Sequence, residues 1–302
     1  MNPVSMSTLS SRLAGLGQVP PTELTEARLA IHWAAQTVAA FGFSLVPARD
    51  DFSHTTLRWS DEAQGMLSQS LPDDGLHAAL HPVDFAISLR RGGETLGKLA
   101  LDGRTLDEIF AWLAEALTTA GRPLTKGAKG AEGAEGAQGA QGVTRPGHLG
   151  EMPAHPVANA EPFAIPPQAH REALTRWLAA ADALIHAVVA EIPGMGPVHC
   201  WPHHFDTASL HVLEGEGESM RSVGVGLSPG DGGYPEPYVY VTPWPYPAGE
   251  LPVLPWGHWH TEGWTGAVLR GSDLLREPES TRSTRLMEMI RVAHRVGAAA
   301  KT

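Results

Sequence analysis

A chain of 302 residues that is 42% hydrophobic can bury one large core or two modest ones. Its formal charge of −11, from 33 acidic and 22 basic residues with no run of Lys or Arg, argues against a surface that tracks phosphates, and so against nucleic acid as a partner. The single cysteine, Cys200, excludes an internal disulfide framework. The N-terminus lacks a charged n-region and a continuous apolar h-region, and no apolar run approaches about 18–20 residues. The expectation is a soluble, cytoplasmic protein without a membrane partner, its oligomeric state open.

Residues 1–20 are small, polar and aperiodic and read as a poorly ordered lead-in. From Thr22 the apolar positions Leu24, Ala27, Ile31, Ala34, Val38 and Phe41 recur at helical spacing, with Gly42 as the stop and His32 beside the core stripe as a structural histidine. Arg49 to Trp59 reads as a strand carrying His54 and Arg58 on one side. Two further strands, Asp84 to Leu89 and Leu96 to Leu101, flank a hairpin at Gly92-Gly93. Thr105-Leu106-Asp107-Glu108 matches a capping box and opens a helix with Ile109, Phe110, Leu113 and Leu117 on its buried stripe.

Glycine then recurs at every third position from Gly127 to Gly142, without proline, and a Pro-rich stretch follows. Residues 126–166 read as a flexible linker between a half at 21–125 and a half at 167–302. The second half opens on an Ala-rich helix, Gln168 to Glu191. Strands follow at Pro197–Leu213, Val223–Leu227, Tyr238–Thr242 and Trp264–Leu269, then a last helix with Leu286, Met289, Ile290, Ala293 and Val296. The halves share an order of elements, with Arg49–Trp59 and Pro202–Val212 at equivalent places. The fold class expected is α+β, two similar halves, each of antiparallel strands flanked by helices.

Pro197 to Leu213 holds four of the fifteen histidines and the only cysteine. On an extended strand His204 and Asp206 project together while His203 points away, which makes His204 and Asp206 a candidate acid/base pair or a pair of polar ligand anchors. Cys200 beside His199 points to the opposite face and reads as a buried structural thiol. His258-Trp259-His260, if extended, sets two imidazoles on one side; with His204 and Asp206 they make a candidate four-residue site for a divalent metal. Trp201, Phe205, Tyr238, Tyr240, Trp244 and His54 are the aromatic and polar residues expected to line a ligand cleft.

Trp201-Pro202-His203-His204-Phe205-Asp206, then Ser228-Pro229-Gly230-Asp231, then Glu236-Pro237-Tyr238-Val239-Tyr240 and Pro243-Trp244 follow an order that resembles a group of uncharacterised bacterial proteins related to the domain of unknown function 5996 family. The resemblance covers about the second half of the chain. It implies weight on His204, Phe205 and Asp206, and it implies no activity. Three functions stay open: binding of a small-molecule ligand in a His/Asp-anchored cleft; a metal-dependent hydrolytic or redox enzyme using His204, Asp206, His258 and His260; and a structural or partner-binding module without a catalytic site.

Overall fold

The computed structural model describes residues 6–124 and 142–300. The fold is α+β with two similar halves, each an antiparallel sheet with helices. By compactness the chain divides otherwise: a C-terminal unit of Met1–Thr25, Arg176–His199 and Asp206–Thr302, and an N-terminal unit of Glu26–Thr175 and Cys200–Phe205.

The lead-in is partly helical. Helix α1, Met6–Ala14, buries Leu9 and Leu13 completely, because these two large apolar side chains are four residues apart and share one face. Helix α2, Thr25–Leu45, runs through Gly42 instead of stopping there. The reason is packing: a Cβ on Gly42 would stand 2.5 Å from the carbonyl oxygen of His54, so the glycine admits a crossing backbone.

The expected strand at 49–59 is mostly a short 3-10 turn at Ser53–Thr55 followed by β1, Arg58–Ser60. Strands β2, Gly65–Leu67, β3, Leu76–His81, β4, Ala86–Arg91, and β5, Glu94–Ala100, complete a five-stranded meander in sequential order. Helix α3, Leu106–Thr119, starts on a capping box in which Thr105 and Glu108 each take the other's backbone N–H.

Of the stretch read as a linker, 126–141 lies outside the described residues, and 142–166 is built into the N-terminal unit. Val143, Val157 and Phe163 are buried, and Thr144 N donates to Ser44 Oγ. Gly103 N donates to the Phe163 carbonyl, and Phe163 N donates to the Arg104 carbonyl. Three buried apolar anchors outweigh the loop-like composition of this Pro-rich segment.

Helix α4 occupies Gln168–Glu191. It is the one described helix that by length and composition could cross a membrane, and 72% of its apolar window is buried. The second sheet comprises β6, His199–Trp201, β7, Asp206–Glu214, β8, Arg221–Ser228, β9, Tyr238–Trp244, β10, His258–His260, and β11, Gly266–Arg270, in the order β10-β11-β9-β8-β7-β6. A short α5, Gly271–Arg276, and the long α6, Glu279–Ala299, close the chain. On one face of this sheet Val223, Val225, Val239 and Val241 are buried, and Gly297 of α6 comes so close to Val223 and Pro243 that a Cβ there would lie within 3.0 Å of both.

The internal correspondence is sharper than the order of elements suggests, and it falls elsewhere. His81-Pro82-Val83-Asp84-Phe85, between β3 and β4, and Trp201-Pro202-His203-His204-Phe205, between β6 and β7, each end a strand and make a four-residue turn. Each has proline second, and each ends on a buried phenylalanine with positive φ, 49° at Phe85 and 59° at Phe205. These two corners share a turn and a positive-φ phenylalanine, whereas Arg49–Trp59 is mostly a 3-10 turn.

Candidate functional site

The positive φ of Phe205 interrupts the extended backbone that the His204/Asp206 pairing requires. Residues 202–205 form a turn, so the two-residue alternation does not reach from His204 to Asp206. His204 belongs to the N-terminal unit and Asp206 opens β7 in the other.

In the N-terminal unit the corner is held by α2. His32 Nε2 lies 2.9 Å and Gln36 Nε2 2.6 Å from the carbonyl oxygen of Pro202. A carbonyl only accepts, so His32 carries its proton on Nε2, and the Gln36 amide is oriented with Oε1 outward, where His148 Nε2 donates at 2.7 Å. The His32 ring stacks on Phe205, centroids 5.1 Å apart and planes within 9°. Burial holds His32 neutral, its pKa lowered to about 3. His148 and His203 are lowered as well, first by loss of solvent and then by His204. His203 and His204 are exposed, their rings 4.1 Å apart, with Trp201 edge-on to His203. Cys200 is buried, and its backbone pairs with Leu57 in both directions at 2.8 Å.

His54 is buried in the 3-10 turn, with Nδ1 accepting from Arg49 N at 3.1 Å and Nε2 buried without a partner. Its pKa is lowered by burial, against the pull of Asp51. These facts make His54 a packed residue of the N-terminal unit.

In the C-terminal unit the register gathers a different set. Tyr238, Tyr240, Thr242 and Trp244 alternate on one face of β9, opposite Ser228, Gly226, Gly224 and Ser222 of β8. The same rows continue to Ala208, Leu210 and Val212 of β7, to Val268 and Arg270 of β11, and to His258 opposite Val268 and His260 opposite Gly266 on β10. Asp206, one residue before Thr207, falls on this face too. Glycines clear the floor for large rings: a Cβ on Gly226 would stand 2.4 Å from the Tyr240 ring, and one on Gly266 2.5 Å from Trp264. Lying across β8, Tyr240 delivers its hydroxyl to the Asp206 carboxylate on β7. Leu210, Val212 and Trp244 remain 41%, 48% and 49% exposed, so this end of the face is open.

The turn after β8 supplies the other polar groups. Asp231 Oδ1 accepts from Gly233 N and Tyr234 N, both at 2.8 Å, and Oδ2 accepts the Tyr238 hydroxyl at 2.5 Å. Burial and that bond to Asp231 raise the Tyr238 pKa, so the phenol stays protonated. Tyr234 Oη reaches His258 and His260. Tyr234 carries no motif of its own; only the fold of the Gly-rich turn back toward β10 reveals it.

The four-residue metal set is not assembled. Asp206 on β7 and the histidines of β10 are four strands apart, about 19 Å at the usual strand spacing, far beyond the reach of one ion. Among the described residues, no group of three or more His, Cys, Asp and Glu side chains could hold a metal ion. Comparison with protein-family models, with curated proteins and with solved structures found no match, so the site stands on its own geometry.

Proposed function

We propose that the protein binds a small organic molecule on the Tyr240 face of the second sheet, in a cytoplasmic setting. The observation that carries this reading is the register: Asp206, Tyr238, Tyr240, Trp244, His258 and His260 share one face with the exposed Leu210 and Val212. Such a mixture of apolar surface and a few fixed polar groups is what ligand sites present. Asp206 and Asp231 serve as fixed acceptors for Tyr240 and Tyr238, which keeps the rings in place, and Trp244 offers an open aromatic surface. His204, which the resemblance to the domain of unknown function 5996 family would emphasise, contributes to the N-terminal corner in this reading.

The test uses benzyl alcohol, benzoate and benzylamine as probes in saturation-transfer NMR of the full chain. At least one probe is expected to show saturable contact that falls at least fivefold in Trp244→Ala and in Tyr240→Leu, with melting temperatures retained to within a few degrees. Contact that persists in both variants, or no contact by any probe, overturns the proposal.

A further inference from the structure

His258 and His260 are alternate residues of β10 and project to the same side, where one phenol meets both. Tyr234 Oη lies 2.9 Å from His260 Nδ1 and 3.2 Å from His258 Nε2. His260 Nε2 is 2.8 Å from the carbonyl oxygen of Glu262, which only accepts, so Nε2 carries the proton. His260 Nδ1 is therefore a lone pair aimed at Tyr234, which donates to it, and His258 Nε2–H donates to the Tyr234 oxygen.

We propose that His258 Nε2, His260 Nδ1 and Tyr234 Oη form a binding site for a divalent transition-metal ion of the zinc and copper type, at the β10 edge of that same sheet face and argued from its own contacts.

Two imidazole nitrogens gathered on one phenol oxygen are donor types that these ions accept. The spacing is already close: two ligands at about 2.0–2.1 Å from a tetrahedral ion stand ~3.3 Å apart, so the pairs at 2.9 and 3.2 Å need to open by only a few tenths of an ångström. The bond from His260 Nε2–H to a backbone carbonyl is the orienting contact that metal-binding histidines use. Arg270 exerts the largest charge effect on both Tyr234 and His258 and is itself paired with Asp273 at 2.8 Å; Asp231 and Glu262 act on Tyr234, and Asp273 on His258, in the opposite sense. On binding, the His258 ring proton moves from Nε2 to Nδ1 by exchange with solvent. The Tyr234 hydroxyl proton is released to solvent, the phenolate oxygen becomes the third ligand, and water takes the fourth position. Tyr234 lies outside any grouping of His, Cys, Asp and Glu alone, which is why the site shows only when the phenol is counted.

The experiment is a calorimetric titration of the full chain with Zn²⁺ and Cu²⁺, with circular dichroism melts for each variant. One ion per chain is expected, copper bound more tightly than zinc. His258→Asn and His260→Asn should each weaken zinc binding at least tenfold. Tyr234→Phe should weaken it severalfold and remove a phenolate-to-copper charge-transfer absorption seen in the unsubstituted protein. A double substitution of His148 and His203 with Asn should leave the affinity unchanged. Four results overturn the site: no binding at millimolar metal, unchanged affinity in either His258→Asn or His260→Asn, affinity lost in the His148/His203 variant, or Tyr234→Phe indistinguishable from the unsubstituted chain. Aryl-probe contact is measured separately, so loss of the metal site and loss of the sheet-face site are told apart.

Discussion

The two proline corners have the same backbone and are held by different chemistry. At the first, Phe85 packs edge-on against Phe163, ring centroids 5.8 Å apart, and the Val83 carbonyl accepts from the guanidinium of the buried Arg171. At the second, Phe205 stacks on His32, and the Pro202 carbonyl accepts from a neutral imidazole and a neutral amide. Arginine keeps its charge at every accessible pH, whereas protonating His32 would keep its Nε2–H bond to Pro202 and place an unfavourable charge in a buried site. The guanidinium contact of the first corner is therefore indifferent to acid and the buried imidazole of the second is not, although His81 and Asp84 in the first corner also have pKa values lowered, by burial and by the bond to Lys98 respectively.

The sharpest way to break the comparison is to remove its common element. Phe85→Ala and Phe205→Ala each delete a buried aromatic ring and should destabilise by about 3–5 kcal/mol in urea unfolding at pH 7. Equal losses would mean that ring packing, more than the hydrogen-bonding partner, holds both corners. Next in size is acid. His32 has a folded pKa depressed below its unfolded value of 6.5, to about 3, so its contribution is complete above pH 6.5 and is lost as pH falls through the window between them. The slope from this one group approaches ~1.4 kcal/mol per pH unit, so His32 alone should lower the unfolding free energy by about 2 kcal/mol between pH 7 and pH 5, added to the same-signed losses from His54, His148, His203 and the other histidines that burial holds neutral. His32→Phe should reduce that difference by about one proton's worth, while Arg171→Leu should leave it unchanged; a pH dependence identical in His32→Phe would sink the assignment.

Arg171→Leu tests the other corner. It leaves the Val83 and Pro166 carbonyls without their guanidinium donor and should destabilise by about 1–3 kcal/mol at pH 7 and pH 5 alike, read by the same unfolding curves. The smallest effect lies away from both corners: Thr105→Ala removes the capping box of α3 and should lower stability by about 1 kcal/mol without changing the acid profile.

Much of the local structure is legible in the sequence. The Ala-rich helix reads at its observed bounds, Gln168–Glu191, and the capping box at Thr105 and Glu108 has both of its bonds. Period and caps are properties of neighbouring residues, so a linear reading reaches them. The strand β3, Leu76–His81, escapes such a reading because five of its six residues are buried and no polar alternation marks it. The candidate site is legible in its members and not in its grouping. Asp206, Tyr240 and His258 stand out by residue type, but the four-residue metal set requires His204, Asp206 and β10 to meet. A left-handed Phe205 and four intervening strand spacings keep them apart.

By itself the sequence determined where the four long helices and most strands lie, that two similar α+β halves are present, and which aromatic and imidazole groups are dense enough to form sites. Only the tertiary structure decided which of them meet. A turn reverses direction on a single φ, and a sheet face is set by a register that spans five strands. Tyr234 became a partner of His258 and His260 because a glycine-rich turn folds back on an edge strand 24 residues later, a separation at which sequence spacing carries no geometric information.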